Sequence, residues 1–134
     1  HIFTHSGLTH FVSNAIPLLI FGFMIEKRIG HEDFLKLFFI TSLVTSFLVL
    51  ANTGNNVVLI GSSGGVFGVI GFSVSRFSFD EDFPQIFVFG GFTIFLFEVL
   101  FLETGGIENV SHHAHVYGFI LGIALGFLSR LENF

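Results

Sequence analysis

Five long apolar stretches are the feature of this sequence that most restricts its fold. They run over residues 8–25, 34–51, 63–79, 85–102 and 114–131. Each holds about 17–20 residues, close to the length with which a helix crosses a bilayer core of about 30 Å. Because lipid offers no hydrogen-bond partners to the backbone, such segments have to be helices. The sequence therefore predicts an all-α membrane protein, a polytopic bundle of five helices.

The composition excludes several other classes of protein. Apolar residues make up 51% of the chain and charged residues only 11%, whereas about a quarter of the residues of a soluble domain are charged. The absence of cysteine removes disulfide scaffolds and thiolate chemistry. With five basic residues and a net charge of −5, the expected partner is the lipid bilayer and not nucleic acid.

Polar or glycine-rich breaks separate the apolar stretches, at residues 26–33, 52–61, 80–84 and 103–111. Pro84 falls where a helix would start, a position that suits its missing N–H. Pro17 lies inside the first stretch and predicts a kink there. No signal peptide is indicated.

The basic residues indicate an orientation. If the five spans alternate in direction across the membrane, all the basic residues fall on one side, near helix ends. They are Lys27, Arg28, Lys36, Arg76 and Arg130. By the positive-inside rule that side is cytoplasmic. We therefore expect an integral, multi-pass membrane protein, in the cell membrane if the source is prokaryotic, whose outer ends face the non-cytoplasmic side.

Polar side chains cluster at the outer ends of the first, third and fifth stretches. At about 1.5 Å of rise per helical residue, Asn14 and Ser63 lie ~20 Å from the basic residue near the inner end of their stretch, His115 ~22 Å and His10 ~25 Å. All four groups thus lie at nearly one depth, slightly below the outer surface. Ionisable groups inside a membrane are costly, so this arrangement indicates a functional site.

These side chains favour acyl-transfer chemistry. The hydroxyl of Ser63 is a poor nucleophile until a base removes its proton, and an imidazole such as that of His115 is the usual base. His10 and Asn14 are spaced i, i+4, so both can point at one developing oxyanion. Rows of glycines predict the close helix packing that such contacts need. These glycines are Gly61, Gly64, Gly65, Gly68, Gly118, Gly122 and Gly126.

With these motifs the sequence resembles the rhomboid family of intramembrane serine proteases. The resemblance is carried by His5-x4-His10-x3-Asn14, by Gly61-Ser62-Ser63-Gly64 and by Ala114-His115-x2-Gly118-x3-Gly122, with a turn at Glu26-Lys27-Arg28-x-Gly30. It covers essentially the whole chain, in order. It implies that residues 1–134 are one rhomboid-like membrane domain with five of the six usual core helices, the first helix and its following loop being absent.

The resemblance also implies the roles of individual residues. Ser63 would be the nucleophile, His115 the base, and His10 and Asn14 the side chains of an oxyanion hole to which the Ser63 N–H adds a donor. Phe67 falls where the family often has a tyrosine packed on the catalytic histidine. Substrates would be single-span membrane proteins, cut by a Ser–His dyad without metal or cofactor. The glycines that would support the site are Gly61, Gly64, Gly118 and Gly122.

Two other functions stay open at this point. A non-catalytic rhomboid-like protein would bind transmembrane segments without cutting them, and a His-lined transporter or metal site would leave Gly61 to Gly64 unexplained. His1 and His5, spaced i, i+4, could hold a metal or have a structural or interfacial role. Taken singly, Ser62 or Ser63 would be a helix N-cap, and His10 and Asn14 would hold helices together.

Three further polar residues have no assigned role in the motifs. Glu98 is an acid within the fourth stretch, and it either lies in the polar cavity beside His115 or is a packed carboxyl. His112 and His113 are expected in the loop next to the site.

Overall fold

The described residues of the chain form a bundle of five α-helices. The computed structural model describes residues 7–53, 61–103 and 112–131. The helices are α1 (Leu8–Ile29), α2 (His31–Thr53), α3 (Ser63–Phe77), α4 (Gln85–Glu103) and α5 (His112–Leu131). The predicted all-α membrane bundle is confirmed. His1 and His5, the two histidines considered for a metal site, lie outside the described residues.

The helix boundaries follow the predicted apolar stretches closely, with two differences. The predicted break at residues 26–33 shrinks to Gly30, because both flanking helices continue through their charged ends. Gly30 has a φ of 86° and donates its N–H to the Glu26 carbonyl at 2.8 Å, a backbone conformation that suits glycine. The fifth helix begins at His112, so the placement of His112 and His113 in a loop is wrong. Pro84 directly precedes α4, as predicted.

Length and apolar composition would let three of the described helices cross a membrane: Leu8–Ile29, His31–Asn52 and His112–Leu131. The apolar part of α4, Gln85–Leu100, is shorter. The α3 helix has only 15 residues and is therefore about 22 Å long.

The short helix α3 lies at the centre of the bundle. It contacts all four other helices, most extensively α5, and its residues from Ser63 to Ser73 are all buried. The outer helices instead expose large apolar side chains, such as Leu19, Phe47 and Phe89, each about 70% exposed. In a bilayer these side chains contact lipid tails, which are as apolar as they are.

Glycines allow α3 and α5 to pack backbone against backbone. A Cβ at Gly118 would lie 3.0 Å from the carbonyl carbon of Gly64 and closer still to its oxygen, and a Cβ at Gly122 would meet Gly68 in the same way. The close approach predicted from the glycine rows is therefore present.

The other face of α3 packs against small hydroxyl residues of α2. Cβ atoms at Gly64 and Gly68 would overlap the side chains of Thr45 and Thr41. The buried Thr41 hydroxyl donates to the Leu37 carbonyl of its own helix at 2.7 Å. This bond gives the buried hydroxyl a hydrogen-bond acceptor within its own helix, so that it needs no partner from α3.

Basic side chains bring the C-terminal ends of α1, α3 and α5 together. Arg28 of α1 forms an ion pair with Asp80, which follows α3, at 3.2 Å. Arg130 of α5 donates to the Ser75 carbonyl of α3 at 3.0 Å. The opposite ends of these three helices, where the predicted site residues lie, are therefore also on one side of the bundle.

Candidate active site

His10 and Asn14 of α1 lie against Gly61, two residues before α3. The buried Asn14 donates its amide to the His10 carbonyl at 2.9 Å. Gly61 has a φ of 96°, and a Cβ there would lie 3.0 Å from His10 Nε2 and 3.6 Å from Asn14 Nδ2. Glycine at position 61 therefore has two effects. It allows the positive φ, and it leaves room for α1 to approach the start of α3.

The two adjacent serines occupy the N-terminus of α3. Ser62 is at the N-cap position, without a side-chain cap bond, and Ser63 is the first helical residue. Both are buried. The first helical backbone bond runs from Val66 N–H to the Ser62 carbonyl, so the N–H groups before Val66 have no acceptor within the helix. The start of α3 thus offers backbone donors close to Ser63.

His115 of α5 is held against α3 by ring stacking. Its imidazole and the ring of Phe67 have centroids 4.4 Å apart and planes 11° from parallel. Phe67 lies one helical turn after Ser63, and Gly118, three residues after His115, lies on the backbone of Gly64. The His115 side chain is only 9% exposed. His115 and Ser63, the predicted base and nucleophile, thus lie on the two helices of this interface, and the ring of His115 contacts Phe67, one turn from Ser63.

Glu98 of α4 joins the site, which the motifs did not indicate. Its Oε2 lies 2.7 Å from Nδ1 of His115 and 2.9 Å from Nδ1 of His112. The first of the two alternatives for Glu98, beside His115, is therefore the one that the structure contains. The sequence signal was an acid within an otherwise apolar stretch, where an ionisable group is costly and by default indicates a functional site.

A cavity of about 290 Å³ connects these side chains. Among its lining residues are His10 and Asn14 from α1, Phe67 from α3, Glu98 from α4, and His112 and His115 from α5. Ser63 is not among them; it is buried one turn away from Phe67 along α3. The cavity therefore joins the predicted base to the predicted oxyanion-hole side chains, with mostly apolar walls between them.

Three side chains of the site are close enough to hold a cation. Glu98, His112 and His115 offer ligand atoms that all lie within 4.8 Å of one another. Two imidazoles and a carboxylate are a donor set that suits zinc and similar ions. The same atoms are already joined by the two hydrogen bonds to Glu98.

A comparison of the sequence with known proteins identifies its family. The family model of the Rhomboid domain matches residues 1–132. The chain belongs to the rhomboid family.

Several curated rhomboids are similar along nearly the whole of this chain. RHOMBOID-like protein 5 of Arabidopsis thaliana is 30% identical over 98% of the chain and 43% of its own length. Rhomboid protease GlpG of Salmonella newport (strain SL254) is 26% identical over 98% of the chain and 48% of its own length. The chain thus spans less than half the length of these rhomboids. Their similarity establishes a rhomboid-type membrane protein.

Proposed function

We propose that this chain is the protease core of an intramembrane serine endopeptidase, with Ser63 as nucleophile and His115 as general base. The observation that carries the proposal is the stacking of His115 on Phe67, one turn from Ser63. A base has to be within hydrogen-bond reach of the hydroxyl that it activates. The backbone contact of Gly118 with Gly64 supports this pairing, because it brings the two helices together beside both residues.

The proposed reaction is acyl transfer in two halves. The Ser63 oxygen attacks the carbonyl carbon of a substrate peptide bond while its proton passes to Nε2 of His115. The tetrahedral intermediate then expels the amine, which takes that proton, and leaves an acyl ester on Ser63. Water attacks the ester with His115 again as base, which releases the carboxylic acid and regenerates the Ser63 hydroxyl.

The developing oxyanion would be stabilised by groups at the junction of α1 and α3. His10 and Asn14 come from α1, and the N–H groups at the start of α3 point out of the helix end near Ser63. Donors fixed in advance in an apolar surrounding stabilise a transition state more than mobile water does. The contact of His10 and Asn14 with Gly61 supports their assignment to this role.

The substrates would be single-span membrane proteins, reached from lipid. The exposed apolar surface of the outer helices fits a site used within a bilayer. The basic ends of α1, α3 and α5 would face the cytoplasm by the positive-inside rule, so the site at the opposite end would open to the non-cytoplasmic side of a multi-pass protein.

The test compares two neighbouring serines in the full-length protein. We expect Ser63→Ala to abolish cleavage of a model transmembrane substrate and labelling by a fluorophosphonate. Ser62→Ala, the matched control at the N-cap, should keep most of both. Equal loss in both folded variants would refute the assignment of the nucleophile. A wild-type protein that binds transmembrane segments but neither cleaves nor labels would favour the non-catalytic alternative.

A further inference from the structure

Glu98 is a carboxylate on an apolar helix of a membrane protein, where an ionisable group is costly. It lies in the apolar helix α4, and its side chain is only 20% exposed. A buried charge is costly unless it is paired and hydrogen-bonded. Here both bonds go to histidines of α5, and one of these is the proposed base His115.

We infer that Glu98 is a positioning residue for His115, the proposed base of the Ser–His dyad. This inference rests on the proposed function. The bond between Glu98 Oε2 and His115 Nδ1 is 2.7 Å long, the length of a charge-assisted hydrogen bond. A carboxylate oxygen accepts, so Nδ1 carries the proton and Nε2 keeps the lone pair that removes the proton of Ser63.

The imidazole of His115 is thereby held from two directions. Phe67 stacks on its face, and Glu98 binds its edge. The face contact fixes the plane of the ring but not its rotation, since a flipped ring would stack equally well. The hydrogen bond distinguishes Nδ1 from Nε2. It also places a negative charge next to the imidazolium that forms during the reaction.

His112 completes the arrangement by holding the carboxylate. It lies one turn before His115 on α5, and its Nδ1 is 2.9 Å from the same Oε2. The two rings are 5.9 Å apart and nearly perpendicular, so both reach one oxygen atom without contacting each other face to face. Two donors on one oxygen restrict the rotation of the Glu98 side chain and keep it aimed at His115.

The first test reads the protonated nitrogen directly and does not depend on activity. In full-length Ser63→Ala protein labelled with ¹⁵N-histidine, NMR should show His115 as the Nδ1–H tautomer. Adding Glu98→Gln should move the proton to Nε2, because the Gln amide can donate to Nδ1. An Nε2–H tautomer with Glu98 present would overturn the inference. The His115 signal is assigned by its loss in His115→Asn.

The second test separates positioning from structural support. Glu98→Gln should lower kcat by about 10²- to 10⁴-fold, the upper value being that of the corresponding change in a soluble serine protease, with KM little changed. Glu98→Asp should recover part of the loss because it restores a carboxylate. Glu81→Gln, which removes an exposed acid just before α4, is the control with unchanged kcat.

Each outcome of these measurements either supports or overturns the positioning role of Glu98. A folded Glu98→Gln protein with wild-type kcat would overturn the inference while Ser63→Ala still tests the proposed function. A chelator that abolishes wild-type activity would replace it with a metal site at Glu98, His112 and His115. If wild-type protein neither cleaves nor labels, the proposed function fails, and the role of Glu98 in it fails too.

Discussion

Gly118→Ala should damage both the stability of the bundle and the proposed reaction. The new Cβ would lie 3.0 Å from the carbonyl carbon and 3.2 Å from the Cα of Gly64, whereas carbon atoms pack best at about 3.5–4.0 Å. These are backbone atoms and cannot rotate away. The α5 helix therefore has to move away from α3 by at least about 0.5–1 Å.

The structure sets the expected size of both effects. Overpacking a tight interface costs about 1–3 kcal/mol, and alanine recovers about 1 kcal/mol of helix propensity over glycine. Gly90→Ala is the matched control, because a Cβ there meets nothing within 4 Å. The free energy of unfolding of Gly118→Ala should therefore lie about 1–3 kcal/mol below that of Gly90→Ala. A displacement of about 1 Å at a reacting pair costs about 10²-fold in rate.

The two effects are measured by unfolding in detergent and by cleavage of a transmembrane substrate. A second glycine on α5 provides a comparison. Gly122→Ala makes a similar backbone overlap one turn further along α5. It should lose similar stability but less rate, because it lies further from His115. If Gly118→Ala matched Gly90→Ala in both unfolding free energy and rate, the backbone contact of α3 with α5 would be refuted.

Four further variants, with one control, address the remaining site residues. Asn14→Ala and His10→Ala should each lower kcat about 10- to 10²-fold with KM little changed, since other oxyanion donors remain; a lower melting temperature with kcat retained in the folded fraction would make them structural only. His115→Ala should remove both cleavage and fluorophosphonate labelling, whereas His113→Ala, at an exposed position, should keep them; labelling that persists without His115 contradicts its role as base. Gly61→Ala should cost about 1–3 kcal/mol of stability, because its positive φ strains any other residue, and should slow cleavage by displacing His10; wild-type stability and rate would exclude this role.

The helices could be predicted from the sequence because each is a continuous apolar run that a polar or glycine-rich break separates from the next. Gly30 and Pro84 mark helix ends in the structure as they did in the sequence. The exact length of the breaks could not be predicted, because charged residues at 26–33 continue a helix as readily as they end it.

Part of the candidate site could also be predicted from local spacing. The i, i+4 pair of His10 and Asn14 lies on one helix face whatever the tertiary structure. Glu98 could not be paired with His115 in this way. The two residues lie on different helices, and the rotation of α4 about its axis decides whether the carboxylate meets the site or lipid. That rotation depends on how α4 packs against the other helices, and residue spacing within α4 does not predict this packing.

Under the proposed function, the shortness of α3 would set the depth along the membrane normal at which a peptide bond is cut. A helix of about 22 Å is some 8 Å shorter than a typical hydrocarbon core. If it faced lipid, the bilayer would have to thin around it. Its contacts with all four other helices and the burial of Ser63 to Ser73 keep it away from lipid instead. The depth of cleavage would then be fixed by the number of residues in one enclosed helix and would change little with the thickness of the surrounding membrane.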